Sequence, residues 1–278
     1  MKFSPEGSAG RTDLIKIREV SCKSALGKTG IPGFDYALNP YGGCSHACVY
    51  CYASFVCRFA QHPEPWGEFV DVRVNFPEVL SRQLFRSRKP PRGKVLLGTV
   101  TDAYQPVEAR YRLTRSSLEI LAGYPLLEVQ VLTKSDLILR DLPILRRLPG
   151  FQAGFTINTL DRRLSDVLEP GAPSPDRRLA AARELTEAKI PVWVFIAPLL
   201  PGLTDTRESL SSLVRALREA GIRDIQADAL NPYPAVARRL REVYAQHFPG
   251  ALAELEESLQ DRTRYRKDLA LRIRRIFG

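Results

Sequence analysis

Between Lys94 and Asn231, short runs rich in Val, Ile, Leu and Phe alternate with amphipathic segments, and this alternation restricts the fold more than any other feature of the chain. The run VWVFIA at Val192–Ala197 is apolar throughout, which implies burial on both faces in a parallel sheet covered by helices. Five strands are expected here: Val95–Thr99, Glu128–Thr133, Phe151–Ile157, Val192–Ala197 and Asp224–Ala229. A sixth is expected at Phe34–Leu38, with Phe76–Arg88 as its return helix. Further helices are expected at Arg115–Ala122, Leu139–Leu148, Pro175–Lys189 and Thr206–Ala220. Thr114, Ser174 and Thr204 or Asp205 suit N-caps, Pro175 suits a first helical position, and Gly221 follows a helix end. In such folds the chemistry collects at the C-terminal ends of the strands.

The 278 residues divide into an N-terminal segment (1–30), an α/β unit (31–234) and a helical, basic C-terminal extension (235–278). The extension reads as two helices, with Leu252, Leu255 and Leu259 on one stripe and Leu269, Ile273 and Ile276 on another, an appendage to the sheet. Net charge is +10, and Asp261–Gly278 supplies +5 of it, which favours polyanions such as DNA as partners. The same arginines opposite an apolar stripe are also the ordinary solvated face of a terminal helix. No apolar stretch approaches the roughly 18 residues of a membrane span, and the first residues lack a secretory core, so a cytoplasmic location is expected.

Five cysteines, three of them crowded into NPYGGCSHACVYCYA at Asn39–Ala53, suit metal chemistry better than disulfides in a reducing compartment. Cys44, Cys48 and Cys51 stand in a Cys-x3-Cys-x2-Cys spacing on a glycine-flanked loop. One reading is a zinc site completed by His46, Cys57 or His62. The other is an iron-sulfur cluster whose fourth iron, without a cysteine, is free to bind something else.

The cysteine spacing, with Tyr50 just before the third cysteine, resembles the radical S-adenosylmethionine (SAM) superfamily. GTVTDAYQPVE at Gly98–Glu108, LTKSDLILRDL at Leu132–Leu142, LEPGAPSPDRRL at Leu168–Leu179 and APLLPGLTD at Ala197–Asp205 resemble its branch related to spore photoproduct lyase. The resemblance runs from about Cys22 to Pro232 and implies a partial (β/α)6 TIM-type barrel. It implies a [4Fe-4S] cluster on Cys44, Cys48 and Cys51 that binds SAM, and reductive cleavage to a 5'-deoxyadenosyl radical that abstracts hydrogen from substrate. It also implies an electron donor such as ferredoxin or flavodoxin. Tyr50 would lie near the adenine; Gly98, Thr99 and Thr101, at the end of the second strand, near the methionyl amine; Lys134 near the methionyl carboxylate; and Asn158 near the ribose.

In the lyase branch a cysteine after the second strand returns hydrogen to the product, whereas this chain has Gly98-Thr99-Val100-Thr101-Asp102 there. Cys22 and Cys57 read as small buried hydrophobes, and Tyr41 and Tyr104 as packed rings or radical relays. Asp102 and Glu108 read as substrate groups or as a surface ion pair beside Arg110 and Arg112. The expected function is a radical SAM enzyme acting on an unidentified substrate, a DNA lesion or modified base among the candidates. The alternative is a non-catalytic zinc or iron-sulfur module with a nucleic-acid-binding C-terminus.

Overall fold

In the computed structural model, which describes residues 15–58, 62–87 and 89–278, the apolar runs assemble into one seven-stranded sheet. The chain opens with β1 (Lys16–Val20), β2 (Gly27–Lys28), β3 (Tyr36–Leu38), β4 (Tyr41–Gly42), β5 (Phe69–Arg73), α1 (Phe76–Phe85) and β6 (Gly93–Leu97). It continues through α2 (Glu108–Tyr111), α3 (Leu113–Leu121), β7 (Leu127–Thr133), α4 (Leu142–Leu145), β8 (Gln152–Thr156), α5 (Arg162–Leu168) and α6 (Pro175–Glu187). It ends with β9 (Val192–Leu199), α7 (Arg207–Glu219), β10 (Asp224–Ala229), α8 (Pro234–His247), α9 (Leu252–Gln260) and α10 (Arg262–Phe277).

The strand order is β10-β9-β8-β7-β6-β3-β2, and every pairing is parallel except that of β2 with β3. Parallel neighbours cannot be joined by a tight turn, so each step carries a crossover, and the α-helices found there cover the sheet. The fold is therefore α/β with a mostly parallel sheet. Val95 lies opposite Val129, Val131 opposite Ala153 and Phe155 opposite Val194, all of them buried in the main core. Gly154 belongs to that packing: a Cβ there would come within 2.5 Å of the Trp193 ring. Val192, Phe195 and Ala197 of the VWVFIA run are only half-buried.

All six expected strands are present, with ends moved by up to two residues. The second stops at Leu97, so Gly98, Thr99 and Thr101 lie in the loop beyond it. Leu139–Leu148 is not one helix: a 3-10 segment, Asp136–Asp141, leads into the single turn of α4, which holds Pro143 near its start. Ser174 caps α6, and Arg88 of the expected return helix lies outside the described residues. Thr206, not Thr204 or Asp205, caps α7. Thr114 is no cap either; its hydroxyl donates to the Ala103 carbonyl at 2.6 Å inside α3. A second sheet, β1-β5-β4, had no expected counterpart.

The region after Ala235 holds three helices rather than two. It is not a loose appendage. Val236, Leu240, Tyr244 and Leu255 are buried in one apolar cluster with Cys48, Tyr50, Leu168 and Leu200, so α8 and α9 pack against the cysteine loop. Leu269 of α10 enters the main core, while Arg262, Arg264, Arg266, Lys267, Arg274 and Arg275 are exposed. No helix among the described residues is long and apolar enough to cross a membrane.

Candidate metal and cofactor site

The cysteine loop follows β3 and β4 and is clamped from three sides. From the end of β3, Asn39 donates from Nδ2 to Thr99 Oγ1 at 2.8 Å and accepts from the Val100 N–H at 3.1 Å, which ties the loop to the end of β6. Buried Gln105 accepts from the Ser45 N–H at 3.0 Å and donates to Thr101 Oγ1 at 2.9 Å, while the Thr101 hydroxyl donates to the Gly43 carbonyl at 2.5 Å. Gly43 has φ +76°, and a Cβ there would strike Phe69, so only glycine fits this turn. On the other side, the Val49 N–H donates to Leu168 at 2.9 Å and the Gly171 N–H to His46 at 3.1 Å. From α8, Arg239 donates to the Val49 carbonyl at 2.7 Å.

Cys44 and Cys48 are buried, Cys51 is half-buried, and all three are free thiols. Burial pushes the Cys48 thiol up to about 12, partly offset by Lys134, and it raises Cys44 well above its ordinary value, helped by Asp102 and the other two sulfurs. Burial raises Cys51 as well. Crowded, buried thiols become favourable thiolates only with strong local positive charge, and iron supplies it by deprotonating a coordinating thiol outright. Soft sulfur donors on one loop are the donor set an iron-sulfur cluster takes. Among the described residues no three Cys, His, Asp or Glu side chains form a group placed to hold a single metal ion. His62 engages both ring nitrogens, with Glu64 at 3.0 Å and Asp71 at 2.9 Å, and stacks on Phe69.

Beside Cys48 lies a buried polar cluster drawn from the cysteine loop, the ends of β7 and β8, the end of α5 and helix α6. Tyr50 donates its hydroxyl to Glu169 and accepts from Asn158 Nδ2 at 3.0 Å. Lys134, just past β7, sits 5.7 Å from the Tyr50 ring centre and 3.8 Å from Glu169. Arg178 of α6 pairs with the other Glu169 oxygen and donates to the Thr156 carbonyl at 3.2 Å. Asn158 Oδ1 is buried with no hydrogen-bond partner among the described residues. Tyr50 of the cysteine loop and Lys134 and Asn158, expected at two different strand ends, thus meet in one place. Glu169, Arg178, Gln105, Asn39 and Arg239 were assigned no role; Glu169 and Arg178 do lie inside LEPGAPSPDRRL.

Gly98 has φ +87°, and a Cβ there would come within 2.7 Å of the Leu132 carbonyl, so the bend after β6 requires glycine. Beyond it Asp102 accepts from Thr133 Oγ1 at 2.6 Å and from the Lys134 N–H at 2.8 Å, and meets His46 Nδ1 at 3.3 Å. Burial works against this carboxylate, but His46, Thr133 and the Lys134 N–H hold it at about 2. Glu108 is a different case. It is fully buried rather than a surface carboxylate, and its partner is Arg140 at 2.8 Å, not Arg110 or Arg112. Tyr41 donates its hydroxyl to Glu108, Tyr104 is buried in the main core, and Cys22 and Cys57 are half-buried.

The family model of the Radical SAM superfamily matches residues 38–214. An uncharacterized protein of Methanocaldococcus jannaschii is 36% identical over 191 residues, covering 69% of this chain and 70% of that protein. One from Mycobacterium tuberculosis is 34% identical over 266 residues, covering 85% and 76%. A spore photoproduct lyase variant with bound AdoMet and dinucleoside spore photoproduct has a similar fold, with TM-score 0.62 and 20% identity over 83% of this chain and 66% of that one. Streptococcus suis SuiB bound to S-adenosylmethionine aligns with TM-score 0.52 and 15% identity, over 76% of this chain and 45% of that one. Members of the superfamily use a [4Fe-4S] cluster and SAM, and the match spans the sheet from the end of β3 into α7. The chain belongs to the radical SAM superfamily and is an enzyme of radical chemistry.

Proposed function

We propose that Cys44, Cys48 and Cys51 hold the [4Fe-4S] cluster at the mouth of a partial (β/α)6 barrel, and that the enzyme acts on a modified base or lesion in DNA. The observation that carries the cluster assignment is the set of three free thiols on one clamped loop, next to a polar cluster with more cations than anions. When bound, cluster and SAM supply a 5'-deoxyadenosyl radical able to take a hydrogen atom from the substrate.

The chain's own residues do the positioning. Lys134 and Arg178 share the single carboxylate of Glu169, so an incoming ligand carboxylate meets a surplus cation, with Lys134 at the strand end as its partner. Asn158 Oδ1, buried and unpaired, accepts a hydroxyl such as that of a ribose. Tyr50, fixed by Glu169 and Asn158, presents its ring beside them. Gly98, Thr99 and Thr101 shape the backbone beyond β6, where the ligand amine is received. The apolar seal of α8 and α9 on the cysteine loop excludes water from this side.

The target reading draws on the similarly folded lyase seen with a dinucleoside spore photoproduct and on the net charge of +10. A base must leave the stack to reach a barrel mouth. No cysteine follows β6, so the hydrogen-return step of the lyase branch has no equivalent donor there. Ferredoxin or flavodoxin as electron donor and a cytoplasmic setting complete the proposal, in keeping with free thiols at all five cysteines.

Anaerobic reconstitution tests it. The wild type is expected to turn brown, bind about four irons per chain and release 5'-deoxyadenosine from SAM on reduction. Cys48→Ala is expected to lose iron and cleavage together while its far-UV spectrum is unchanged. A colourless wild type that binds one zinc and ignores SAM would refute the assignment.

A further inference from the structure

A groove of about 1100 Å³ runs between α7 and α10, and its walls carry six arginines against one glutamate and one aspartate. Arg207, Arg215 and Arg218 follow one another along α7, a stripe roughly 16 Å long at the rise of a helix. Arg272 and Arg275 line the same groove from α10, and Arg223 lies past the end of α7. Three of the six are fixed by the fold: Arg272 on Asp205 at 3.2 Å, Arg218 on the Phe277 carbonyl, and Arg223 on the Arg218 carbonyl at 2.8 Å. Arg207, Arg215 and Arg275 are exposed, with no carboxylate partner among the described residues. Unsatisfied guanidiniums in a row suit a row of anions, because the planar fork grips phosphate oxygens two at a time.

The groove is too long and open for one phosphate. Its lining contains no aromatic residue, and protein-docking surfaces are centred on aromatic anchors with charged residues depleted. Phosphodiester chains make the opposite demand, since contacts to phosphate position a strand without reading it. One end of the groove also lies at the C-terminal ends of the strands, the side from which the cysteine loop emerges. Helix α7 starts where the loop after β9 ends, Asp205 in that loop anchors Arg272, and Leu200 at its start packs with Cys48 and Tyr50.

We propose that the α7–α10 groove is the track for the phosphodiester backbone of the nucleic-acid substrate, leading the strand to the mouth beside the cysteine loop. The inference rests on the nucleic-acid reading above and adds the path.

The test is fluorescence anisotropy of labelled 20-nucleotide DNA, single-stranded and duplex, with the reconstituted full chain across roughly 50–200 mM salt. Wild-type affinity is expected to fall steeply with salt. Arg215→Gln/Arg275→Gln is expected to bind at least tenfold more weakly at low salt, with a log–log salt slope shallower by about two, one per lost phosphate contact. Its melting temperature and its SAM cleavage without DNA should match the wild type, because both side chains are exposed. Arg207→Gln alone should shift the slope by about one. If the wild type binds DNA with a steep slope and the double variant binds identically, the track is elsewhere and the target reading survives. If the wild type binds no DNA at low salt, both fail. If instead the double variant loses an acidic flavodoxin and not DNA, the groove is a protein-docking face and the proposal fails.

Discussion

Two buried glutamates in this molecule have nearly the same neighbours and opposite characters. Glu108 receives the Tyr41 hydroxyl and pairs with Arg140; Glu169 receives the Tyr50 hydroxyl and pairs with Arg178. Around Glu108 the account is closed: the Thr114 and Arg115 N–H groups donate to it at 3.0 and 3.2 Å, and Asp141 balances Arg140 and Arg115. Two anions meet two cations and the start of α3 is held. Around Glu169 one anion faces both Lys134 and Arg178, and Asn158 Oδ1 goes unpaired. A saturated cluster braces a fold, whereas one with unmet bonding capacity is where a ligand is received.

The largest expected effect breaks the closed cluster. Glu108→Ala removes a fully buried carboxylate and strands the Tyr41 hydroxyl, the Thr114 and Arg115 N–H groups and one side of Arg140, and should cost about 3–5 kcal/mol of stability, lowering Tm by roughly 10 °C. Calorimetry checks this; an unchanged Tm would remove the bracing role. Lys134→Ala should do the reverse, leaving Tm nearly intact while weakening SAM binding roughly 10- to 100-fold, the scale of a charge-assisted hydrogen bond. Titration calorimetry on reconstituted protein would show it.

Another buried carboxylate, Asp102, joins the cysteine loop, through His46, to the end of β7. Its folded value of about 2 lies below the ordinary 3.8. Its contribution is thus complete above about pH 4, is lost as pH falls through about 2, and amounts to roughly 2 kcal/mol. Asp102→Asn should remove that part of the acid limb in a pH series of denaturant melts; a limb of the same depth would count against it. Asn158→Ala should be mildest, a loss of about 0.5–1.5 kcal/mol in SAM affinity, or several-fold in Kd. Parallel changes in stability for Asn158 and Glu108 variants would erase the distinction between the two clusters.

Much of the frame was legible in the sequence because it is written locally. Strand runs, the Ser174 cap with Pro175 behind it, and the crowding of Cys44, Cys48 and Cys51 are patterns within a dozen residues. The alternation of strand runs with helical segments pointed to a parallel sheet, although VWVFIA, apolar throughout, leaves Val192, Phe195 and Ala197 half-buried. Where local rules compete, pattern and structure part: Thr114 has the chemistry of a cap, but α3 begins one residue earlier, after Arg112 at φ 54°.

What surrounds the cysteines was decided by the tertiary structure. Tyr50 and Glu169 are 119 residues apart and Val49 and Arg239 are 190 apart, so no window of sequence contains both partners. The C-terminal helices offered an apolar stripe that fits any hydrophobic surface, and only packing shows that they seal the cysteine loop. Glu108 and Glu169 are alike as letters. Which one ends up balanced depends on how many cations the fold brings within reach, a sum over distant residues that one-dimensional patterns do not carry.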